Sequence, residues 1–137
     1  MLKQISVFLP NHPGTLADFT KTLMENKINM RAISTADTTD YGILRILVDK
    51  TEECLKVLKS KNFLVTETDV IAVKVPDKPG ALYEIASFLG ENDVNIEYCY
   101  STIIKEAAII VFRIDNTEKA VKILKKKGVS LLEQHEL

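Results

Sequence analysis

Tryptophan is absent, cysteine and histidine occur only twice each, and neither sign of charge dominates, the 137 residues carrying a formal net charge of −1. So even a balance excludes a broad basic field of the kind that draws in nucleic acid or anionic lipid. Cys54 and Cys99 lie far apart without CxxC spacing, which argues against a zinc site or a redox dithiol. Both are expected to be small buried apolar residues. His12 sits in a turn and His135 close to the end of the chain, and neither has a Cys, Asp or Glu at triad or metal spacing. No GxxxxGK[ST] or GxGxxG segment is present. No catalytic set, metal site or cofactor is therefore expected, and the chain is not read as an enzyme. No apolar run approaches the roughly 20 residues that span a bilayer. The first residues lack the charged and apolar regions of a secretory signal, so a cytoplasmic protein without membrane contact is expected.

Hydrophobic residues make up 46% and charged residues 27%, values suited to a soluble globular protein. The length fits one ordinary domain or two small ones. An internal repeat decides between them. Shifted by 66 residues, Ile5 to Val65 aligns with Ile71 to Leu131 without a gap, and 18 of the 61 positions are identical. Pro10, Pro13, Gly14 and Leu16 meet Pro76, Pro79, Gly80 and Leu82; Asn26 and Asn29 meet Asn92 and Asn95; Asp49, Thr51 and Glu52 meet Asp115, Thr117 and Glu118. The chain reads as two modules, residues 1–68 and 69–137, with almost no linker.

Each module has the same order of elements. Gln4 to Leu9 and Val70 to Val75 are β-branched runs that stop at a Pro, as strands entering a turn do. Leu16, Phe19 and Leu23, and then Leu82, Ile85, Ala86 and Leu89, recur at helical spacing, with helix stops at Glu25-Asn26 and Gly90-Glu91-Asn92. Ile28 to Ala36 and Val94 to Ile104 form a second strand; Gly42 to Asp49 and Ala107 to Asp115 form a third. Asp37 to Asp40 and Lys105-Glu106 turn between them. A second helix opens at Thr51 and Thr117, burying Cys54, Leu55, Leu58 and Ala120, Val121, Leu124. The last strands are Phe63 to Thr68 and Val129 to Glu133, giving βαββαβ twice.

Alternation in the third strand puts Leu44, Ile46, Val48 and Ile110, Phe112, Ile114 against the helices. The other face carries Ile43, Arg45, Leu47 and Ile109, Val111, Arg113. It reads either as an ordinary half-exposed sheet or as a surface for self-association into a homodimer.

The turns Asn11-His12-Pro13-Gly14 and Asp77-Lys78-Pro79-Gly80 each precede a helix whose first turn has unpaired backbone N–H groups. Gly removes the Cβ obstacle and the helix dipole favours a carboxylate, while Asn11 or Asp77 can meet an ammonium. A free amino acid carries both groups. A purely structural Pro-Gly turn is the alternative for a single copy; two copies argue for a ligand.

The doubled (Asn/Asp)-x-Pro-Gly-x-Leu turn after strand one, with a Val/Ile-Asn step into strand two, resembles the ACT domain, the regulatory module of many amino-acid biosynthetic enzymes. The resemblance covers essentially the whole chain as a tandem pair. It implies an α+β fold of two ferredoxin-like modules paired side by side in one eight-stranded antiparallel sheet, with four helices on one face. It also implies an amino-acid effector between modules, held by Asn11 and Asn29 in one copy and Asp77 and Asn95 in the other. The backbone around His12, Pro13, Gly14, Thr15 and Leu16, and around Lys78, Pro79, Gly80, Ala81 and Leu82, would complete the pockets.

The copies differ. Met30 stands in one, Glu97-Tyr98-Cys99-Tyr100 in the other, and Tyr98 and Tyr100 are expected to share a face with Ile96, either as core or as the lining of a pocket or seam. His12 is either a solvated turn residue or a ligand contact. The basic run Lys119, Lys122, Lys125, Lys126, Lys127 is a solvated helix face or a docking site for an acidic partner. Two functions follow from these observations: an amino-acid sensor, or a subunit that docks on an amino-acid biosynthetic enzyme without binding a ligand itself.

Overall fold

The computed structural model describes residues 1–37 and 41–137. The turn expected between the second and third strands falls mainly on residues 38–40, outside the described residues. The chain divides into two compact units, Lys3–Thr68 with Leu137, and Asp69–Glu136 with Met1 and Leu2; we call them the first and second units. In chain order the elements are β1 (Leu2–Pro10), α1 (Thr15–Glu25), β2 (Met30–Asp37), β3 (Tyr41–Val48), α2 (Thr51–Ser60), β4 (Leu64–Val75), α3 (Ala81–Glu91), β5 (Ile96–Ile104), β6 (Ala107–Ile114) and α4 (Thr117–Lys127). A short 3-10 turn, Gln134–Glu136, follows.

In the first unit β3 pairs antiparallel with both β1 and β2, and in the second β6 pairs antiparallel with both β4 and β5. The registers repeat with the sequence: Ile5 faces Ile46 as Ile71 faces Phe112, and Leu9 faces Gly42 as Val75 faces Ala108. The 66-residue shift is thus conserved in three dimensions as well as in residue type.

The eight-stranded sheet implied by the family resemblance is not formed; six strands are present among the described residues. Two of the expected strands, Phe63 to Thr68 and Val70 to Val75, are one continuous 12-residue strand, β4. No Gly or Pro lies between Phe63 and Val75 to break the extended chain. The expected last strand, Val129 to Glu133, is reduced to a single bridge between Leu131 and Val73. Its chain makes two ladder-like bonds, Lys74 N–H to the Ser130 carbonyl and Leu132 N–H to the Ala72 carbonyl. It then curls into the 3-10 turn, where the Glu136 carboxylate accepts a hydrogen bond from the Glu133 N–H at 2.7 Å and meets Lys74 Nζ at 3.2 Å.

The helices bury the faces that periodicity assigned. Phe19 and Leu23 of α1 and Cys54, Leu55 and Leu58 of α2 pack on Ile5, Val7, Leu44, Ile46 and Val48. Ile85 and Leu89 of α3 and Ala120 and Leu124 of α4 pack on Ile71, Val73, Phe112 and Ile114. Phe19 meets Phe63 edge to face, ring centroids 5.5 Å apart. Leu16 and Leu82 are the exceptions: each opens its helix and is left about half exposed.

Two expectations about strand faces change. Leu47, Ile109 and Val111 are fully buried within the single chain. Of the face that suggested self-association, only Ile43, Arg45 and Arg113 keep partial exposure. Tyr98 and Tyr100 do not share the face of Ile96, because a β-bulge lies between Ile96 and Tyr98. Ile96 pairs with Ile114 on the helix side, whereas Tyr98 and Tyr100 pair with Arg113 and Val111 on the other. The inserted residue, Glu97, ion-pairs with Arg113 at 3.2 Å.

Candidate ligand pockets at the two turns

Each Pro-Gly turn is a compact device built from backbone. In the first unit the His12 N–H donates to the Pro10 carbonyl at 3.2 Å and the Asp18 N–H to the Gly14 carbonyl at 2.9 Å. In the second the Lys78 N–H donates to the Pro76 carbonyl at 2.9 Å and the Glu84 N–H to the Gly80 carbonyl at 3.0 Å. Gly14 and Gly80 have φ of 88° and 92°, a conformation that an L side chain resists. That is the physical reason for glycine at these two positions. Neither glycine provides a side-chain cap, so the start of each helix is left to backbone and solvent. His12 adds a contact of its own: its Nδ1 lies 2.9 Å from the Thr15 hydroxyl.

A pocket opens beside each turn. The first, about 310 Å³, is lined by Leu9, Pro10, Asn11, His12, Thr15 and Leu16 from the turn and helix start, and by Thr35, Ala36, Asp37, Gly42, Ile43 and Leu44 from β2 and β3. The second, about 660 Å³, is lined by Val75, Pro76, Asp77, Lys78, Ala81 and Leu82, and by Ser101, Thr102, Ile103, Ala108, Ile109 and Ile110. Every lining residue of one is the 66-shifted counterpart of a residue in the other. The exposure of Leu16 and Leu82 has its place here, since both stand at a pocket mouth instead of in the core. A further groove of about 470 Å³ shares Leu9, Pro10, His12 and Thr15 with the first pocket and continues toward Tyr41, Phe63 and Leu64.

Of the residues singled out in the sequence, Asn11, His12, Thr15 and Leu16 gather at one pocket, and Asp77, Lys78, Ala81 and Leu82 at the other. Pro13, Gly14, Pro79 and Gly80 shape the turns without lining the pockets. Asn29 and Asn95 are elsewhere. β2 runs antiparallel to β3 from Met30, opposite Val48, to Asp37, opposite Gly42, and Gly42 also faces Leu9. Asn29 thus lies at one end of its sheet and Asn11 at the other, roughly 20 Å apart along the strands, and the second unit repeats this. A single amino acid cannot touch both from one unit.

The pocket walls from β2 and β5 were missed in the sequence: Thr35, Ala36 and Asp37, and Ser101, Thr102 and Ile103. The signal was available, because in an antiparallel β-α-β-β order the end of the second strand returns beside the end of the first. Among the described residues no group of three or more His, Cys, Asp or Glu is placed to hold a metal ion. Among the same residues no helix is long and apolar enough to cross a membrane.

Comparison with known proteins agrees with this architecture. Residues 1–137 match the ACT domain pair model, and the chain belongs to that family. No curated protein sequence matches it. Among solved structures it is similar to protein BT0572 of Bacteroides thetaiotaomicron, with 38% identity and a TM-score of 0.93, covering 98% of this chain and 94% of that one. It shares its fold with the ligand-free regulatory subunit of aspartate kinase from Thermus thermophilus, at 18% identity and a TM-score of 0.65, over 90% of this chain and 91% of that one. The aspartate kinase of Clostridium acetobutylicum contains a similar region: 16% identity and a TM-score of 0.61, covering 91% of this chain and 32% of that one.

Proposed function

We propose that the protein is a non-catalytic, cytoplasmic regulator that binds free amino acids in the two turn pockets and passes the signal to an amino-acid biosynthetic enzyme. One observation carries the reading: a pocket with the same twelve lining positions occurs twice. Each copy sets backbone N–H groups at a helix start, suited to a carboxylate, beside Asn11 or Asp77, suited to an ammonium. Membership of the ACT domain pair family supports it, and the enzyme partner is suggested by the folds shared with a kinase regulatory subunit and a kinase. Asn11 to Leu16 and Asp77 to Leu82 are the proposed contacts. Asn29 and Asn95 would contribute only where the turn of another ACT module is brought to them.

Thermal-shift and calorimetric titration against the twenty amino acids tests this. A ligand that binds only the folded chain, at about 100 times its Kd, adds about 2.7 kcal/mol of stability. Binding weakened by Asn11→Ala or Asp77→Ala locates the site. Absence of any heat or shift at millimolar ligand removes the sensor function and leaves the docking subunit.

A further inference from the structure

The two pockets correspond position by position but not in chemistry. We infer that they take amino acids of different side-chain class: the second-unit pocket an amino acid with a bulky aliphatic side chain, the first-unit pocket one with a cationic side chain. This rests on the effector reading above and adds the class of ligand at each site.

The deciding position is the end of the second strand in each unit. Asp37 and Ile103 are 66-residue counterparts, paired with Gly42 and Ala108, and both line their pockets. Ile103 is 75% exposed and Leu82, on the same pocket, 45% exposed. Two large apolar side chains thus stand in water at one mouth, and an aliphatic side chain laid against them takes apolar surface of both partners out of water. The position equivalent to Thr15 is Ala81, which removes a hydroxyl from the same wall. The pocket is also about twice the volume of the other, 660 against 310 Å³. Its turn presents both a carboxylate, Asp77, and an ammonium, Lys78, so the charged groups common to all amino acids have partners without drawing on the far wall.

The first pocket keeps the half-exposed leucine, Leu16, but has Asp37 where the second has Ile103. Asn11 is neutral, and among the described lining residues Asp37 is the one carboxylate. An aliphatic side chain pressed against it would desolvate a charge without replacing its hydrogen bonds. A side-chain ammonium or guanidinium would pair with it directly.

Calorimetric titration of the full chain with L-leucine and L-lysine tests the assignment, using Asp37→Ile and Ile103→Asp. Both side chains are exposed, and the ligand-free melting temperature, together with the milder Asp37→Asn and Ile103→Ala, guards against misfolding. The wild type is expected to bind one molecule of each. Asp37→Ile should weaken lysine at least tenfold and leave leucine unchanged; Ile103→Asp should do the opposite. Both ligands weakened by the same substitution, or neither by either, would overturn the assignment. So would binding confined to amino acids outside the aliphatic and cationic classes, which leaves the effector reading standing. Failure of all twenty to bind the wild type overturns both.

Discussion

The Asn95 N–H donates a hydrogen bond to the Asp115 carboxylate at 3.0 Å, and the Asp115 N–H donates in return to the Asn95 carbonyl at 3.2 Å. Asn29 and Asp49 make the same pair at the same distances. The clamp fastens the entry of β2 and β5 to the exit of β3 and β6. It uses the backbone of the asparagine and the side chain of the aspartate. The repeated Asn therefore leaves its own amide outside the clamp, while the repeated Asp has a structural duty.

Asp49→Ala and Asp115→Ala are accordingly expected to lower stability by about 1 kcal/mol each, the usual net worth of such a bond. Asn29→Ala and Asn95→Ala should stay within about 0.5 kcal/mol of the wild type, because the backbone bonds survive. Urea denaturation of the four variants checks this. An Asn95→Ala loss as large as that of Asp115→Ala would show that the amide takes part.

Gly14→Ala and Gly80→Ala test the turns without touching a pocket side chain. A Cβ at either position meets nothing within 4 Å, so no clash contributes. Only the positive φ does, and the expected cost is about 1–2 kcal/mol for each. Parallel urea curves for the two variants, with unchanged slopes, are the predicted outcome. A cost near zero would mean that the turn relaxes to another backbone conformation.

The two cysteines should separate cleanly in reactivity. Cys54 is fully buried, and desolvation, with a smaller contribution from the Asp49 carboxylate, pushes its thiol up from 9.0 to about 11. Cys99 is exposed. At pH 8 a disulfide reagent should label Cys99 rapidly and Cys54 only on unfolding. Because the folded chain disfavours the thiolate, the contribution of Cys54 to stability is complete below pH 9 and is lost as the pH rises toward 11. Cys54→Ala should flatten that part of the alkaline unfolding profile, and an unchanged profile would remove the thiol from it.

Much of the fold was legible because apolar periodicity and the repeat pointed the same way. Phe19, Leu58, Ile85 and Leu124 lie where their spacing put them. The strand count was not legible, since a repeat aligned residue by residue gives no sign that the end of one copy and the start of the next merge where nothing breaks the strand. Nor does local alternation reveal a bulge: the extra residue at Glu97 turns Tyr98 and Tyr100 to the other face. The turn half of each pocket was readable from Pro, Gly and Asn or Asp. The half contributed by Asp37 and Ile103 depends on strand register, a relation between distant residues. Asn29 and Asn95 were singled out because they repeat, and one role that the repeat serves is a backbone clamp.

The border between the two units falls between Thr68 and Asp69, inside β4. A protease cut or a gene truncation at that bond would leave a five-residue stub on one side and a seven-residue stub on the other, each with a severed end. Each lone module would keep only part of the 12-residue strand.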